Sequence, residues 1–342
     1  ALDGEKAEYE YSYNYQSWYP SAEYETNNTV KNVGLFDLTP FSKFEIKSDK
    51  AHQELQKICT ANIKNEPGKC VYTHMLNSDG GIETDLTVVC VDKNHFRIIS
   101  SAATRERDKF HINKHLSKNI ELKDITDDLC VFGLFGPKSR DLLKTLSEDN
   151  FENDQFRFGF AKFITIDGVK IWTQRLSYVG ELGYELYVDL KDAKKIYELL
   201  IEKGKDFNLS NCGMHAMDIM RMESGFLHWG HDISPEENQY QAGLAFTISN
   251  KKDVDFIGKQ ALEKIKQDKV KTRFSMFTLK ESEPGKPLLL HDEPIYDGEK
   301  IIGRSTSGNY SFNFKKNLVF GYIKNDFSNE ELQNKNLFIE VE

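Results

Sequence analysis

Gly80-Gly81-Ile82-Glu83-Thr84-Asp85-Leu86-Thr87-Val88 is the run on which the fold turns. A diglycine opens onto a β-rich stretch that holds two acids. Asp and Glu are depleted in strands, because they compete with the ladder for hydrogen bonds and bury badly. At period 2, Ile82, Thr84, Leu86 and Val88 share one face, while Glu83, Asp85, Thr87 and Val89 share the other. Asp85 therefore lies opposite the apolar face. Two readings stand open for it. One is a solvated face, since charges are rarely buried without partners. The other is a carboxylate held at a pocket wall against a ligand nitrogen.

Working outward, Asn77-Ser78-Asp79-Gly80-Gly81 is a hairpin signal, and residues 71–76 read as the partner strand. Strands at 44–46 and 96–100 and helices at 51–58 and 104–116 complete a first unit. A second follows, with Pro137 at N1 of a helix to 146. Its strands are expected at 161–166, 169–174 and 183–188. Its helices are expected at 192–203, with Ile196, Leu199 and Leu200 as the apolar stripe, and at 212–224, closed by Gly225 at C′. The strand–helix–strand order, seen twice before residue 230, predicts an α+β protein with two layers of similar build. Residues 33–265 form that region, with a boundary near 135. A charged helix at 258–267 leads to strands at 272–279, 301–305, 319–323 and 337–341, a small all-β module over 266–342. Over residues 1–32, the alternation of Tyr9, Tyr11, Tyr13 and Tyr15, followed by Trp18 and Tyr19, predicts an extended aromatic arm laid on another surface.

The 342 residues suit two or three domains at about 150 residues each. A net charge of −9 without a basic block argues against a nucleic-acid partner. No run of about 18 apolar residues exists, so no membrane-spanning helix is expected. Five scattered cysteines, odd in number and never spaced C-x-x-C, argue against a disulfide framework and a structural zinc. A reducing compartment follows: the cytoplasm, or the mitochondrial matrix in a eukaryote. The chain opens on Ala1 with no visible signal peptide, which reads as a processed or excised fragment.

Three further runs could carry chemistry. Ser177-Tyr178-Val179-Gly180-Glu181-Leu182-Gly183-Tyr184-Glu185 places Glu185 at the head of a strand behind a Gly-x-x-Gly turn, where backbone can approach a flat ligand. Glu185 is either a surface strand residue or an acceptor for a heterocyclic amide–amine edge. In Asp218-Ile219-Met220-Arg221-Met222-Glu223-Ser224-Gly225-Phe226, Arg221 either pairs with Asp218 at i, i+3 or clamps a ligand oxygen. His228-Trp229-Gly230-His231-Asp232 lacks a third separated ligand, so a turn or a histidine polarised by Asp232 is favoured over a metal site.

Taken in order, these runs resemble the aminomethyltransferase family, the T-protein of glycine cleavage and its relatives. The carrying residues are Gly34-Leu35-Phe36-Asp37-Leu38, Pro67-Gly68 with Tyr72, Gly80-Gly81-Ile82 with Asp85, Tyr178 with Glu185, and Arg221-Met222-Glu223-Ser224-Gly225. The runs at 36–44, 71–73, 228–232 and 255–258 look like the folate half of dimethylglycine and sarcosine dehydrogenases. No G-x-G-x-x-G flavin fingerprint is present, so the resemblance is to the folate-acting portion alone. It implies a three-domain cloverleaf of two α+β (ferredoxin-like) layers and a small C-terminal β-barrel around a central tetrahydrofolate site. It implies a catalytic Asp85, with Tyr72, Tyr178, Glu185 and Arg221 holding folate or ordering the site, and no metal. The implied reaction captures a methylene unit from a dimethylglycine-, sarcosine- or glycine-derived amine as 5,10-methylenetetrahydrofolate. Direct methyl transfer from a sulfonium or methylated amine is the alternative, and a folate-binding module without catalysis is a third. A flavin-dehydrogenase partner, or an N-terminal half beyond this chain, would supply the one-carbon unit. Relatives also run on past residue 342.

Overall fold

The computed structural model describes residues 8–13 and 15–341. Residues 1–7 and Asn14 of the aromatic arm, and Glu342, lie outside the described residues. Tyr9, Tyr11 and Tyr13 are exposed and irregular, but the chain then becomes helix α1 (Tyr19–Lys31). That corrects the extended arm expected over 1–32. Pro20 favours the first helical turn, and Ala22, Thr26 and Thr29 are buried at helical spacing. That stripe wins over the period-2 aromatics before it.

Strand β1 (Val33–Asp37) follows at once. The chain then builds a separate layer from β2 (Ser42–Lys47), α2 (Ala51–Ile58), β3 (Cys70–Leu76), β4 (Ile82–Asp92), β5 (His95–Ser100), α3 (Arg105–His115) and β6 (Leu122–Asp124). The strands form a five-stranded sheet in the order β3-β4-β5-β2-β6. Leu86, Val88 and Cys90 of β4 join Leu55, Ile58 and Ile112 in a core beneath α2 and α3. The hairpin turn is tightly seated, since a Cβ on Gly81 would lie 1.9 Å from the Pro235 carbonyl oxygen.

The chain returns through β7 (Leu129–Phe135), α4 (Ser139–Leu146), β8 (Ala161–Ile166), β9 (Val169–Gln174), β10 (Gly183–Asp189), α5 (Leu190–Gly204), β11 (Leu209–Cys212) and α6 (Met214–Glu223). These strands and β1 form a six-stranded sheet, β11-β1-β7-β10-β9-β8. The boundary expected near 135 is thereby corrected. All of β7 belongs to the second layer, and so does β1, which precedes the first. β1 is held between β7 and β11, and the burial of Val33 and Leu35 secures it there. The first layer is thus an excursion from the second.

Helix α7 (Lys259–Asp268) leads to β12 (Thr272–Thr278), β13 (Pro294–Asp297), β14 (Lys300–Ser311), β15 (Lys316–Lys324), α8 (Asn329–Gln333) and β16 (Leu337–Ile339). The strands form a five-stranded antiparallel sheet, β12-β15-β14-β13-β16. The first two sheets face each other across a core of Val89 from one side and Phe36, Val131, Phe135, Trp172 and Tyr187 from the other. Pleat parity then fixes the site. Asp85 shares its face of β4 with Val89, and Glu185 shares its face of β10 with Tyr187. Both carboxylates point from the surfaces the sheets turn toward each other.

Candidate active site

Tyr72 and His74 project from the same face of β3, beside Asp85 on β4. His74 stands opposite Asp85 in the ladder. The Tyr72 hydroxyl donates to Asp85 Oδ2 at 3.2 Å and lies 3.2 Å from His74 Nε2. Asp85 is only half-buried by accessibility, yet protein surrounds it closely enough that burial lifts its carboxyl to about 7. The Asp108 charge on α3 adds to that rise, and the Tyr72 hydrogen bond opposes it.

Glu185 has the same character. It is half-buried, and burial raises its carboxyl to about 7 against the hydrogen bond from Tyr187, whose hydroxyl donates to Oε2 at 2.8 Å. Gln174 is its ladder partner. The Gln174 amide is fully buried, and neither its oxygen nor its nitrogen has a protein partner.

Tyr178 stacks on Phe226, with ring centroids 5.9 Å apart and planes 15° apart. Its hydroxyl donates to the Leu227 carbonyl at 2.9 Å. Burial raises its phenol above the usual range, and the charges of Arg221 and Asp85 both act on it. The pair presents a flat aromatic surface within electrostatic reach of Asp85.

Arg221 differs from the clamp reading. It is 2 % exposed. Its Nε donates to Asp218 at 2.8 Å, its Nη1 to the Phe226 carbonyl at 3.0 Å and to Asp232 Oδ2 at 2.6 Å, and its Nη2 to Ser307 Oγ at 3.0 Å. Its donors are directed at protein: it ties α6 to the 226–232 turn and to β14. Asp232 completes the tie, accepting also from the His228 amide, Thr306 and Ser307. The 228–232 run is a turn closed by backbone bonds from His231 and Asp232 to the His228 carbonyl. Among the described residues no group of His, Cys, Asp and Glu is placed to hold a metal.

Sequence reasoning missed His74, Gln174, Tyr187 and Asp108. Pleat parity could have found His74, two residues beyond Tyr72, and Tyr187, two beyond Glu185. Gln174 carries no local signal, because only the tertiary fold brings it to the site. Among the described residues no helix is long and apolar enough to cross a membrane.

Two α+β layers and a C-terminal β module define a class that the comparisons specify. Residues 1–252 match the family described as the GCVT N-terminal domain, and residues 273–341 the glycine cleavage T-protein C-terminal barrel domain. The chain belongs to the glycine cleavage T-protein, or aminomethyltransferase, family. An aminomethyltransferase of Halothermothrix orenii is 32% identical over 304 residues, covering 88% of this chain and 83% of that protein. The formaldehyde-forming 4-methylaminobutanoate oxidase of Paenarthrobacter nicotinovorans is 36% identical over 308 residues, 90% of this chain. The mitochondrial dimethylglycine dehydrogenase of Rattus norvegicus is 32% identical over 328 residues, 95% of this chain. The chain spans only 37% and 38% of the lengths of those last two proteins, and the match is to the C-terminal portion of the dehydrogenase. The aminomethyltransferase T structure from Bartonella henselae superposes with a TM-score of 0.80 at 19% identity, covering 93% of this chain and 86% of that one. At that identity the likeness speaks for the fold.

Proposed function

We propose that this chain transfers a one-carbon unit to tetrahydrofolate, taking a methylene carried by an amine to give 5,10-methylenetetrahydrofolate. The observation that carries this reading is the pair of carboxylates, Asp85 and Glu185, on facing walls and both lifted to about 7. The residues fit a pterin. Glu185 offers two acceptor oxygens to a paired N–H edge, and the buried, unpartnered Gln174 amide stands next to it. The Tyr178–Phe226 pair offers a face for stacking.

The chemistry sets what Asp85 does. An iminium carbon that bonds to two folate nitrogens releases the amine and one net proton. Asp85, ionised about half the time near neutral pH, takes that proton and meets the developing positive charge beside it. A positioned base of this kind contributes about 10²–10⁴-fold. The compartment is the cytoplasm or the mitochondrial matrix. The carbon source is a small methylated amine, oxidised by a flavin partner or by a flavin portion of a longer chain.

The test is Asp85→Asn, assayed with tetrahydrofolate and an iminium-generating donor. We expect turnover to fall by about 10²–10⁴-fold with folate binding nearly intact. Unchanged turnover would sink the role. The mass of the folate product separates methylene transfer from direct methyl transfer, and a protein that binds folate yet makes neither product with any donor would be the non-catalytic module.

A further inference from the structure

The hydrogen bond to Glu185 comes from Tyr187, and the Tyr187 ring is met from the opposite layer. In the first sheet, Arg97 on β5 is the ladder partner of Val89 on β4 and of Glu45 on β2. Cross-strand partners share a face, so Arg97 and Glu45 look toward the second sheet, as Val89 does. Arg97 Nη2 donates to Glu45 Oε1 at 2.8 Å. Glu45 is held in turn by His95 Nε2 at 3.0 Å and Lys47 Nζ at 3.1 Å. The rest of the guanidinium is unspent: Nε and Nη1 are buried, with no hydrogen-bond partner among the described residues. What lies against the cation is the face of the Tyr187 ring on β10, with Cζ 5.8 Å from the centroid. That separation is within reach of a cation–π contact.

From this geometry we infer that Arg97 is a positioning residue for Glu185: it holds the Tyr187 ring by its face and strengthens the hydrogen bond that the phenol gives the carboxylate. A cation over the ring draws electron density from the phenol oxygen, and the O–H becomes a better donor. The Tyr187 hydroxyl reaches Glu185 Oε2 at 2.8 Å, so the effect arrives at the carboxylate. The link also crosses the layers. β5 belongs to the first sheet and β10 to the second, and a cation on one acts on the acceptor carried by the other.

Burial lets the link count. The Arg97 side chain is 11% exposed and Tyr187 3%, so little water screens one from the other. Burial pushes the Tyr187 phenol well up, the Glu185 charge adds to that rise, and Arg97 opposes it. Around Glu185 stand Tyr187 on its own strand, Gln174 on β9, and the Cys70 thiol on β3, which burial keeps neutral. Gly133, its ladder partner on β7, brings no charge. Arg97 on β5 reaches the carboxylate through Tyr187.

The inference rests on Glu185 being the group that meets the folate edge, and one readout is independent of that. In the full chain without ligand, the Glu185 carboxyl midpoint is read by difference infrared titration and assigned by its loss in Glu185→Gln. Arg97→Gln removes the cation while keeping an N–H for Glu45. It should move the midpoint, which lies at about 7 in wild type, upward by about half a pH unit. Arg97→Lys keeps a cation and should restore most of the wild-type value. Tyr187→Phe should raise the midpoint by about one unit on its own, and in that background Arg97→Gln should move it less than half as far. Tetrahydrofolate affinity should then follow the ionised fraction of Glu185. Arg97→Gln should weaken it about twofold at pH 7, about threefold at pH 6 and hardly at all at pH 9. A midpoint unmoved by Arg97→Gln, a shift that Arg97→Lys leaves in place, an equal shift in the Tyr187→Phe background, or an affinity loss as large at pH 9 as at pH 6 would overturn the link. If the midpoints move as expected while tetrahydrofolate affinity ignores both Arg97→Gln and Glu185→Gln, the link stands and the placing of folate against Glu185 falls.

Discussion

Asp85 shows how a single residue can oppose the fold that holds it. Its carboxyl is raised to about 7 in the folded chain from an ordinary carboxylate value. Between roughly pH 4 and 7 the folded state therefore binds more protons at this site than the unfolded state. Stability from this group is present at low pH and is lost as pH rises through about 7. Turnover should move the other way, because in the proposed reaction the ionised form is the base: kcat should climb through a midpoint near 7 and level off above it. Asp85→Asn should remove both dependences, giving a variant with little activity and greater stability than wild type at pH 8, measurable by urea denaturation at pH 5 and pH 8. Equal stability differences at the two pH values would contradict it. Tyr72→Phe tests the same carboxylate from the other side. The phenol hydrogen bond lowers the Asp85 midpoint, so its loss should carry the rising limb of the pH–rate profile to higher pH.

At the level of elements, the 77–82 hairpin and the α6–β14 tie hold the site in place. Asn77 Oδ1 accepts from the amides of Asp79 and Gly81, and the Ile82 amide reaches the Glu237 carbonyl at 2.9 Å. A methyl group at position 81 would collide with the Pro235 backbone. Gly81→Ala should cost about 1–3 kcal/mol of stability, read by denaturant midpoint, and lower turnover by shifting β4. Arg221→Met should cost more, about 3–5 kcal/mol, because it leaves Asp232 buried and charged without its cation. Adding Asp232→Asn should recover part of that loss. The sequence showed most of these elements, since period-2 and period-3.6 patterns need only local order. Helix α2 falls on its expected residues, and β3, β8, β9 and β10 lie within a residue or two. Helix α1 was hidden because, after Tyr19, its buried face is Ser, Ala and Thr rather than large apolar residues. β1 and β7 were hidden because their runs are short or apolar on both faces, so neither alternation nor helical spacing marks them.

On the scale of the whole molecule, the site exists only where separate parts of the chain meet. β3 and β4 supply Tyr72 and Asp85, β10 supplies Glu185, and Tyr178 and Phe226 bracket a turn that Arg221 ties to the C-terminal sheet. Trp229 Nε1 reaches back to the Ile82 carbonyl at 3.1 Å, and the Tyr322 hydroxyl reaches the Asp232 carbonyl at 2.8 Å. This is why Asp85 stayed ambiguous on pattern alone: pleat parity gave its face, and only the opposing sheet says that the face is internal. A ligand spanning these parts should stabilise all of them together. Tetrahydrofolate at about 100 times its Kd should add roughly 2.7 kcal/mol to unfolding and raise the thermal midpoint by a few degrees, with fluorescence and far-ultraviolet dichroism moving together. Glu185→Gln loses a charged acceptor worth about 1.5–3 kcal/mol, so at the same folate concentration most of that gain should vanish. Without ligand, its stability relative to wild type should increase as pH passes above 7, because wild type then carries the desolvated charge. If tetrahydrofolate raised the midpoint of the variant as far as that of wild type, Glu185 would not face the ligand.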